Sequence, residues 1–393
     1  MRFVALPPVR RPVPFNRRSP TSALAMSRFF GNRPMTLYGS GTAALAAAFA
    51  RCAARASHSM PEVILPAYGC PDLISACAYA SVFPRLVDLS PSNWSYDFDA
   101  LSEHVSSRTI AIVAVNLLGL GDGTPALAEF CRRRGLALIQ DSAQFLPRKP
   151  MEWPGDYVIL SFGRGKPMNL LTGGALIESV VDNVSATPTA RLSVRNRLLA
   201  TRAAALAFNV ITRPHPYWAL SHLPGLGLGR VAYKPLRDAN SLPESAWRRI
   251  DSAFEQYQEQ QSYSRELWES AVTEWESFGI IPLLGSTPQT PMELLRLPLL
   301  APDRIARDAI VESLTRAHLG ASRFYAADLP HLPQIPETVR CQGPFPNAED
   351  LADKLFTLPT HNLVCEDTVQ ATSRLVKMST RSKCERLVGR PSH

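Results

Sequence analysis

Lysine is scarce in this 393-residue chain, with six against 36 arginines, so chemistry that needs a nucleophilic amine has few candidates. Lys377 and Lys383 lie in a basic tail, Lys149 stands beside Arg148 in a polar turn, and Lys354 sits on a polar helix. Lys166 is placed differently. It follows the apolar run Tyr157-Val158-Ile159-Leu160-Ser161 and the glycine-rich turn Phe162-Gly163-Arg164-Gly165. An amine at the end of a buried strand can lose its proton and become a nucleophile. The plainer reading is an exposed turn lysine.

Three other segments stand at strand–helix junctions. Gly39-Ser40-Gly41-Thr42-Ala43 opens an Ala-rich helix, and small residues at a helix N-terminus let free N–H groups approach an anion such as phosphate. An ordinary Ser cap would look the same. Leu138-Ile139-Gln140-Asp141 delivers a carboxylate to a strand end, where it could hold a metal, act as a base, pair with a protonated ring nitrogen, or merely cap the next helix. Thr172-Gly173-Gly174 precedes another strand and marks a close backbone approach. An amine for an aldehyde, an acid for a pyridine nitrogen and a cradle for a phosphate are together what pyridoxal phosphate (PLP) requires.

These groups need a scaffold that gathers strand ends. Strand-like runs at Val63–Leu65, Pro84–Asp88, Ile110–Val115, Ala137–Gln140, Tyr157–Phe162 and Ala175–Glu178 alternate with helical stretches at Thr42–Ala54, Asp72–Ala80, Asp99–His104 and Pro125–Arg134. Ile110–Val115 is a continuous apolar, mostly β-branched run, the mark of a strand buried on both faces. The alternation predicts a largely parallel α/β sheet, whose ligands bind at the C-terminal strand ends. An Ala/Leu/Arg helix over Arg191–Ile211 follows, then a Pro-rich stretch Pro214–Pro224. This patch could touch a membrane surface, pack on the body, or meet a partner subunit. One long polar helix is expected over 243–278. A smaller α+β unit follows, with a strand at Leu295–Leu300 and helices at Arg304–Ala317 and Asn347–Lys354.

Composition narrows the class. Hydrophobic residues make up 46% and charged residues 19%, which supports a sizeable core. The net charge of +8 resides in the termini: residues 1–35 carry seven arginines and no acid, and residues 374–393 six basic residues against one acid. The middle of the chain is mildly acidic, so the tails are read as solvated and no nucleic-acid partner is expected. Residues 1–35 share the composition of a transit peptide, but five prolines in the first 20 residues favour an extended tail, with Met26 an alternative start. Seven cysteines without a CxxC pair offer neither a zinc site nor a disulfide framework, so no metal is expected and a reducing, cytoplasmic setting is. No apolar run reaches 18 residues, so no membrane span is expected.

From about Leu37 to Leu375 the chain resembles the DegT/DnrJ/EryC1/StrS family of PLP-dependent sugar aminotransferases. The resemblance rests on GSGTAAL (39–45), VILPAYGCP (63–71), FPRLVDLSPSNWSYD (83–97), AIVAVNLLGLGD (111–122), GLALIQDSAQ (135–144), SFGRGKPMNLLTGG (161–174) and FPNAEDLADKLFTLPTH (345–361). The ordered set, with Ser161 five residues before Lys166 and Asp141 twenty-five before it, is specific. The resemblance implies a fold type I (aspartate-aminotransferase-like) α/β architecture with a seven-stranded, mostly parallel sheet in a large domain over 36–240. It also implies a linking helix with a small α+β domain over 241–376; the residues themselves add a helical insertion at about 185–230, longer than the resemblance leads one to expect, and the tails 1–35 and 377–393. The resemblance makes Lys166 the lysine that takes the cofactor aldehyde, Asp141 the partner of the pyridine nitrogen, and Gln144 a contact on the ring-hydroxyl side. Ser161, Thr42 and Ala43 become phosphate ligands.

The chain departs from the family in three places. Cys70 occupies the usual ring-stacking aromatic position, so either Tyr68, two residues earlier, supplies the stack or the stack is absent. Asn116 stands where a His is usual. Tyr233-Lys234-Pro235-Leu236-Arg237 stands where an Asn/Arg motif reaches the partner subunit's phosphate. The implied activity is transfer of an amino group from glutamate or glutamine to a keto acceptor, a nucleotide-linked keto-sugar in the first place, for polysaccharide or secondary-metabolite synthesis. A homodimer with sites at the interface is implied too. Another PLP reaction on a non-sugar substrate, or a non-catalytic regulatory homologue, are the alternatives. Arg323, Tyr325 and His361 are candidate acceptor contacts in the small domain.

Overall fold

A computed structural model describes residues 4–14, 24–91, 95–120, 124–179, 198–223, 231–259, 264–283 and 294–388. Seven strands form the main sheet: β1 (Met35–Tyr38), β2 (Glu62–Pro66), β3 (Phe83–Val87), β4 (Thr109–Val115), β5 (Ala137–Asp141), β6 (Tyr157–Ser161) and β7 (Gly174–Glu178). Their order is β1-β7-β6-β5-β4-β2-β3. Strands β2 to β6 pair in parallel, while β7 runs antiparallel to β6 and β1 antiparallel to β7. Sequence reading found six of these strands; β1, four residues before the Gly-Ser-Gly turn, is too short to show a period.

Alternate residues of the central strands enter different cores, as strand geometry demands. Val63, Leu65, Val113 and Ile139 pack with Ala44, Leu45 and Phe49 of the helix Gly41–Ala54. Ile64, Ile112 and Leu138 face the other way, against Leu101, Leu127 and Cys131. The chain crosses from β2 to β3 in one direction and from β4 through β5 to β6 in the other. A crevice therefore opens at the C-terminal ends of β2 and β4, where the strand order reverses.

The C-terminal part carries a three-stranded antiparallel sheet, ordered β10-β9-β8, of β8 (Ile281–Pro282), β9 (Arg296–Leu300) and β10 (Leu355–Pro359). The single helix expected over 243–278 is instead Glu244–Trp247, Ile250–Glu259 and Ser264–Glu276. The pieces serve different cores. Phe254 and Tyr257 join Phe29 and Trp153 on the large sheet, whereas Trp268 and Trp275 pack with Leu299 and Phe356 of the small one. The Pro-rich stretch forms a helix, Pro214–Ser221, because proline is tolerated in a first turn, where N–H groups have no intrahelical partner. The residues expected as a tail from 377 continue the helix Glu366–Val388, anchored by the buried Thr372 and Val376; residues 389–393 lie outside the described part. Among the described residues no helix is long and apolar enough to cross a membrane.

The tail expected to be extended and solvated over 1–35 is neither throughout: Leu24–Phe29 is a helix whose Met26 and Phe29 are buried, and residues 4–14, which have no helix or strand, are packed, with Ala5, Leu6 and Val13 buried. A proline-rich strap has few N–H groups and no strand ladder, so isolated main-chain contacts and side chains satisfy its backbone: the Ala5 N–H donates to the Pro214 carbonyl at 3.1 Å and the Leu6 N–H to the His318 carbonyl at 2.9 Å. Asn209 bonds both the N–H and the carbonyl of Val13, at 2.8 and 2.9 Å, and Asn169 Nδ2 donates to the Arg11 carbonyl at 2.7 Å. Arg296 Nη1 donates to the Pro8 carbonyl.

His361 completes this clamp and sets a pH dependence. Its Nε2 lies 2.8 Å from the Pro7 carbonyl oxygen, and the Leu363 N–H donates to Nδ1 at 3.3 Å. A carbonyl only accepts and an N–H only donates, so the ring is held neutral with its proton on Nε2. Burial, aided by Arg296, Arg10 and Arg11 and opposed by the Pro7 contact, holds the pKa down to about 4 from 6.5. Between those values the unfolded chain takes up a proton that the folded chain does not. Stability therefore falls as pH drops through that window, by up to about 3 kcal/mol, and levels off below it. Urea midpoints measured across the window should show this slope, and His361→Gln should flatten it by one proton. An equal slope in the variant would refute the assignment.

Candidate active site

Four strand ends and one helix N-terminus converge on an open cleft of about 510 Å³, part of it open solvent. Gly41, Thr42, Cys70, Asp72, Asn116, Asp141, Gln144, Ser161 and Lys166 are among its lining residues. The helix Gly41–Ala54 reaches this edge because two glycines let it approach the sheet. A Cβ on Gly41 would lie 2.8 Å from the Ser161 Cβ, and one on Gly174 would lie 2.6 Å from the Gly41 backbone. Ser40 caps the helix by accepting the Ala43 N–H at 3.0 Å.

Asp141 ends β5 between β4 and β6, with Val115 and Ile159 as register partners. One carboxylate oxygen accepts the Ala143 N–H at 3.0 Å. Burial nevertheless pushes the carboxyl above its ordinary range; the Ala143 bond and Lys166 oppose that rise and Asp72 adds to it. Such a group gains from a cation placed against it. Lys166 follows Gly165, whose φ of +73° turns the loop back towards the cleft. Among the described residues the Lys166 amine has no hydrogen bond or ion pair, although Asp141 lines the same cleft. Cys70 is no rival nucleophile: burial, with Asp72 nearby, pushes its thiol up to about 12.

Gln144 is fixed at both ends. Its Oε1 accepts the Leu118 N–H and its Nε2 donates to the Tyr325 hydroxyl, each at 3.0 Å. Asn116 donates to Ser142 Oγ at 2.7 Å. The cleft thus contains Lys166, Asp141, Gln144, Ser161 and Thr42. Two residues singled out in the sequence are placed otherwise. Ala43 does not line the cleft, and its N–H is taken by the Ser40 cap. Tyr68 is buried beside it: its hydroxyl donates to the Tyr325 carbonyl at 2.9 Å and its ring packs edge-on to Tyr325, so Cys70, not Tyr68, faces the cleft.

The small-domain candidates also differ from expectation. Arg323 donates to Asp308 at 2.8 Å, His361 holds Pro7, and Tyr325 is buried between Tyr68 and Gln144; none lines the cleft. Lys234 and Arg237 are exposed, on a segment pinned to the helix Asp72–Ala80 through Ser75, which donates to the Lys234 carbonyl at 2.8 Å and accepts the Leu236 N–H at 2.7 Å. Sequence reading missed Asp72, which lines the cleft and accepts the Thr42 hydroxyl at 3.0 Å. Its place as the first residue of a helix after Gly69-Cys70-Pro71 was the available signal.

The model of the DegT/DnrJ/EryC1/StrS aminotransferase family matches residues 23–186 and 252–377. The chain belongs to this family. Within it, the chain is similar to L-glutamine:scyllo-inosose aminotransferase of Streptomyces griseus, 29% identical over 164 residues, which is 41% of this chain and 38% of that one. It is also similar to dTDP-4-dehydro-2,3,6-trideoxy-D-glucose 4-aminotransferase of Saccharopolyspora spinosa, 30% identical over 82 residues, 21% of each chain. The chain thus spans less than half the length of the curated relatives it matches. Its fold is that of the sugar aminotransferase Spr1654 from Streptococcus pneumoniae in its PLP form, with a TM-score of 0.66 at 16% identity over 93% of this chain and 92% of that one.

The DegT/DnrJ/EryC1/StrS family depends on PLP, and the cleft suits that cofactor. A half-buried carboxylate lacks a cation, an unengaged amine shares its cleft, and a glycine-walled helix N-terminus stands beside the Ser161 hydroxyl.

Proposed function

We propose that this chain is a cytoplasmic aminotransferase that takes an amino group from glutamine or glutamate and places it on the keto carbon of a polyhydroxylated acceptor. A nucleotide-linked keto-sugar is the leading acceptor, for an amino sugar of a polysaccharide or secondary metabolite. The observation that carries the reading is the convergence of Lys166, Asp141, Gln144 and Ser161 on one cleft at the switch point of the sheet. The names of the two curated relatives, one acting on an inosose and one on a nucleotide-linked keto-sugar, support the acceptor class.

When bound, PLP supplies a carbonyl that holds the amino group and a protonated ring that withdraws electrons. Lys166, the only lysine lining the cleft among the described residues, holds the cofactor through Nζ and moves the proton at the substrate carbon that gains or loses the amine. Asp141 keeps the ring nitrogen protonated, the cation its half-buried carboxylate lacks. Gln144, with its amide orientation set by Leu118 and Tyr325, orients the ring-hydroxyl side. Ser161, Thr42 and the free N–H groups of the first helical turn take the phosphate. The exposure of Lys234 and Arg237 on their pinned segment supports their use at a second subunit of a homodimer.

The test is the absorbance of the PLP-loaded protein before and after donor. Glutamine or glutamate should remove the visible band and release one 2-oxo acid per site. A band that no amino donor alters would overturn transamination; no band with excess PLP would leave a non-catalytic homologue.

A further inference from the structure

The helix Leu198–Ile211 is built inside out. Among its described side chains Ala205 is buried and Phe208 and Asn209 half-buried, with Thr212 buried just past its end, and Asn209 is occupied by both backbone groups of Val13. The outward stripe is apolar: Ala203, Leu206, Ala207, Val210 and Ile211 are exposed. A helix that packs on its own domain turns its apolar stripe inward, whereas this one presents that stripe away from the described residues. Leu206, Val210, Ile211 and, after the next helix, Leu223 are 56, 39, 38 and 57% exposed. Among the described residues these are four of the ten exposed large hydrophobics, gathered within 18 positions.

Charge decides between occupants. Residues 183–237 contain eight arginines and lysines and not one aspartate or glutamate, in a chain whose remaining middle is acidic. Arg202 and Arg213 flank the apolar stripe and are exposed. A two-fold axis passing through this patch would set it against its own copy and bring like charges together. An apolar stripe rimmed by arginine in an acid-free segment matches instead an anionic bilayer surface, where the apolar side chains enter the acyl boundary and the guanidinium groups meet phosphates.

We propose that the face formed by Leu206, Val210, Ile211 and Leu223, with Arg202 and Arg213, docks this protein peripherally on anionic phospholipid. This surface is separate from the cleft, and the proposal stands whether or not the chain is an aminotransferase.

Flotation of the full chain with vesicles tests it. The protein should float with phosphatidylglycerol vesicles and not with phosphatidylcholine alone, and binding should weaken as salt rises. The double variant Leu206→Gln/Val210→Gln should bind about tenfold more weakly, since it removes two inserted apolar side chains. Its circular dichroism should be unchanged, because both positions are exposed. No flotation with phosphatidylglycerol, or binding equal in the variant, would overturn the proposal. So would a fall in the mass of the variant in solution from dimer to monomer, which would assign the face to a second copy.

Discussion

Replacing Lys166 with alanine should lower turnover at least about 10³-fold while leaving the fold intact. The two halves of that expectation have separate causes. The amine lines the cleft beside Asp141 and makes no hydrogen bond or ion pair with the described residues, so its removal costs the native state little. The same lack of a partner leaves it available to the cofactor. Borohydride should fix PLP to the wild-type chain at Lys166 and fail to fix it to the variant. Lys166→Arg separates charge from nucleophilicity: it retains a cation beside Asp141 and should be equally inactive. Turnover within tenfold of wild type, or cofactor fixed at another lysine such as Lys234, would remove Lys166 from its proposed role.

Gly174→Ala should be the most damaging single-methyl change near the cleft. The new Cβ would lie 2.6 Å from each of Gly41 Cα, Gly41 N and the Leu160 carbonyl oxygen. All three are backbone atoms, so no side chain can rotate away, and the helix Gly41–Ala54 must lift from β6 and β7. A cost of about 3 kcal/mol, the upper part of the usual overpacking range, is expected. The shift also carries Thr42 and the first-turn N–H groups away from Ser161, so PLP affinity should fall with stability. Gly41→Ala is the informative comparison. There the closest atoms are the Ser161 Cβ and Oγ, at 2.8 and 3.0 Å, so stability should suffer less while the phosphate end of the cleft is disturbed directly. Urea denaturation and cofactor titration of both variants check this; a Gly174→Ala protein with wild-type values for both would contradict it.

Much of the candidate site was legible because it lies where local patterns end. The apolar runs that became β4, β5 and β6 declare themselves by composition, and the polar residue at the end of such a run must emerge at the sheet edge. Asp141, Ser161 and Lys166 are of that kind, and so is the Gly-Ser-Gly turn. Tyr68 and Cys70 show where this logic fails. Both follow β2 within a few residues, yet which one faces the cleft depends on the turn of the chain between them and on Tyr325, 257 residues from Tyr68, which claims the Tyr68 hydroxyl. Tyr325, Arg323 and His361 had types suited to binding an acceptor; in the folded chain their polar atoms are engaged by Gln144, Asp308 and Pro7.

The sequence by itself determined the parallel α/β class, the family and the strand-end residues of the cleft. The class and the strand-end residues follow from hydrophobic period and from spacing along one stretch of chain, and the family from the resemblance its ordered motifs carry. Only the tertiary structure decided that residues 4–14 form a clamped strap, that Asp72 enters the cleft while Tyr68 is withheld, and that the helix Leu198–Ile211 turns its apolar stripe outward. Those outcomes depend on which distant backbone groups and side chains meet. A helical period states that a stripe exists, and only packing states which way it faces.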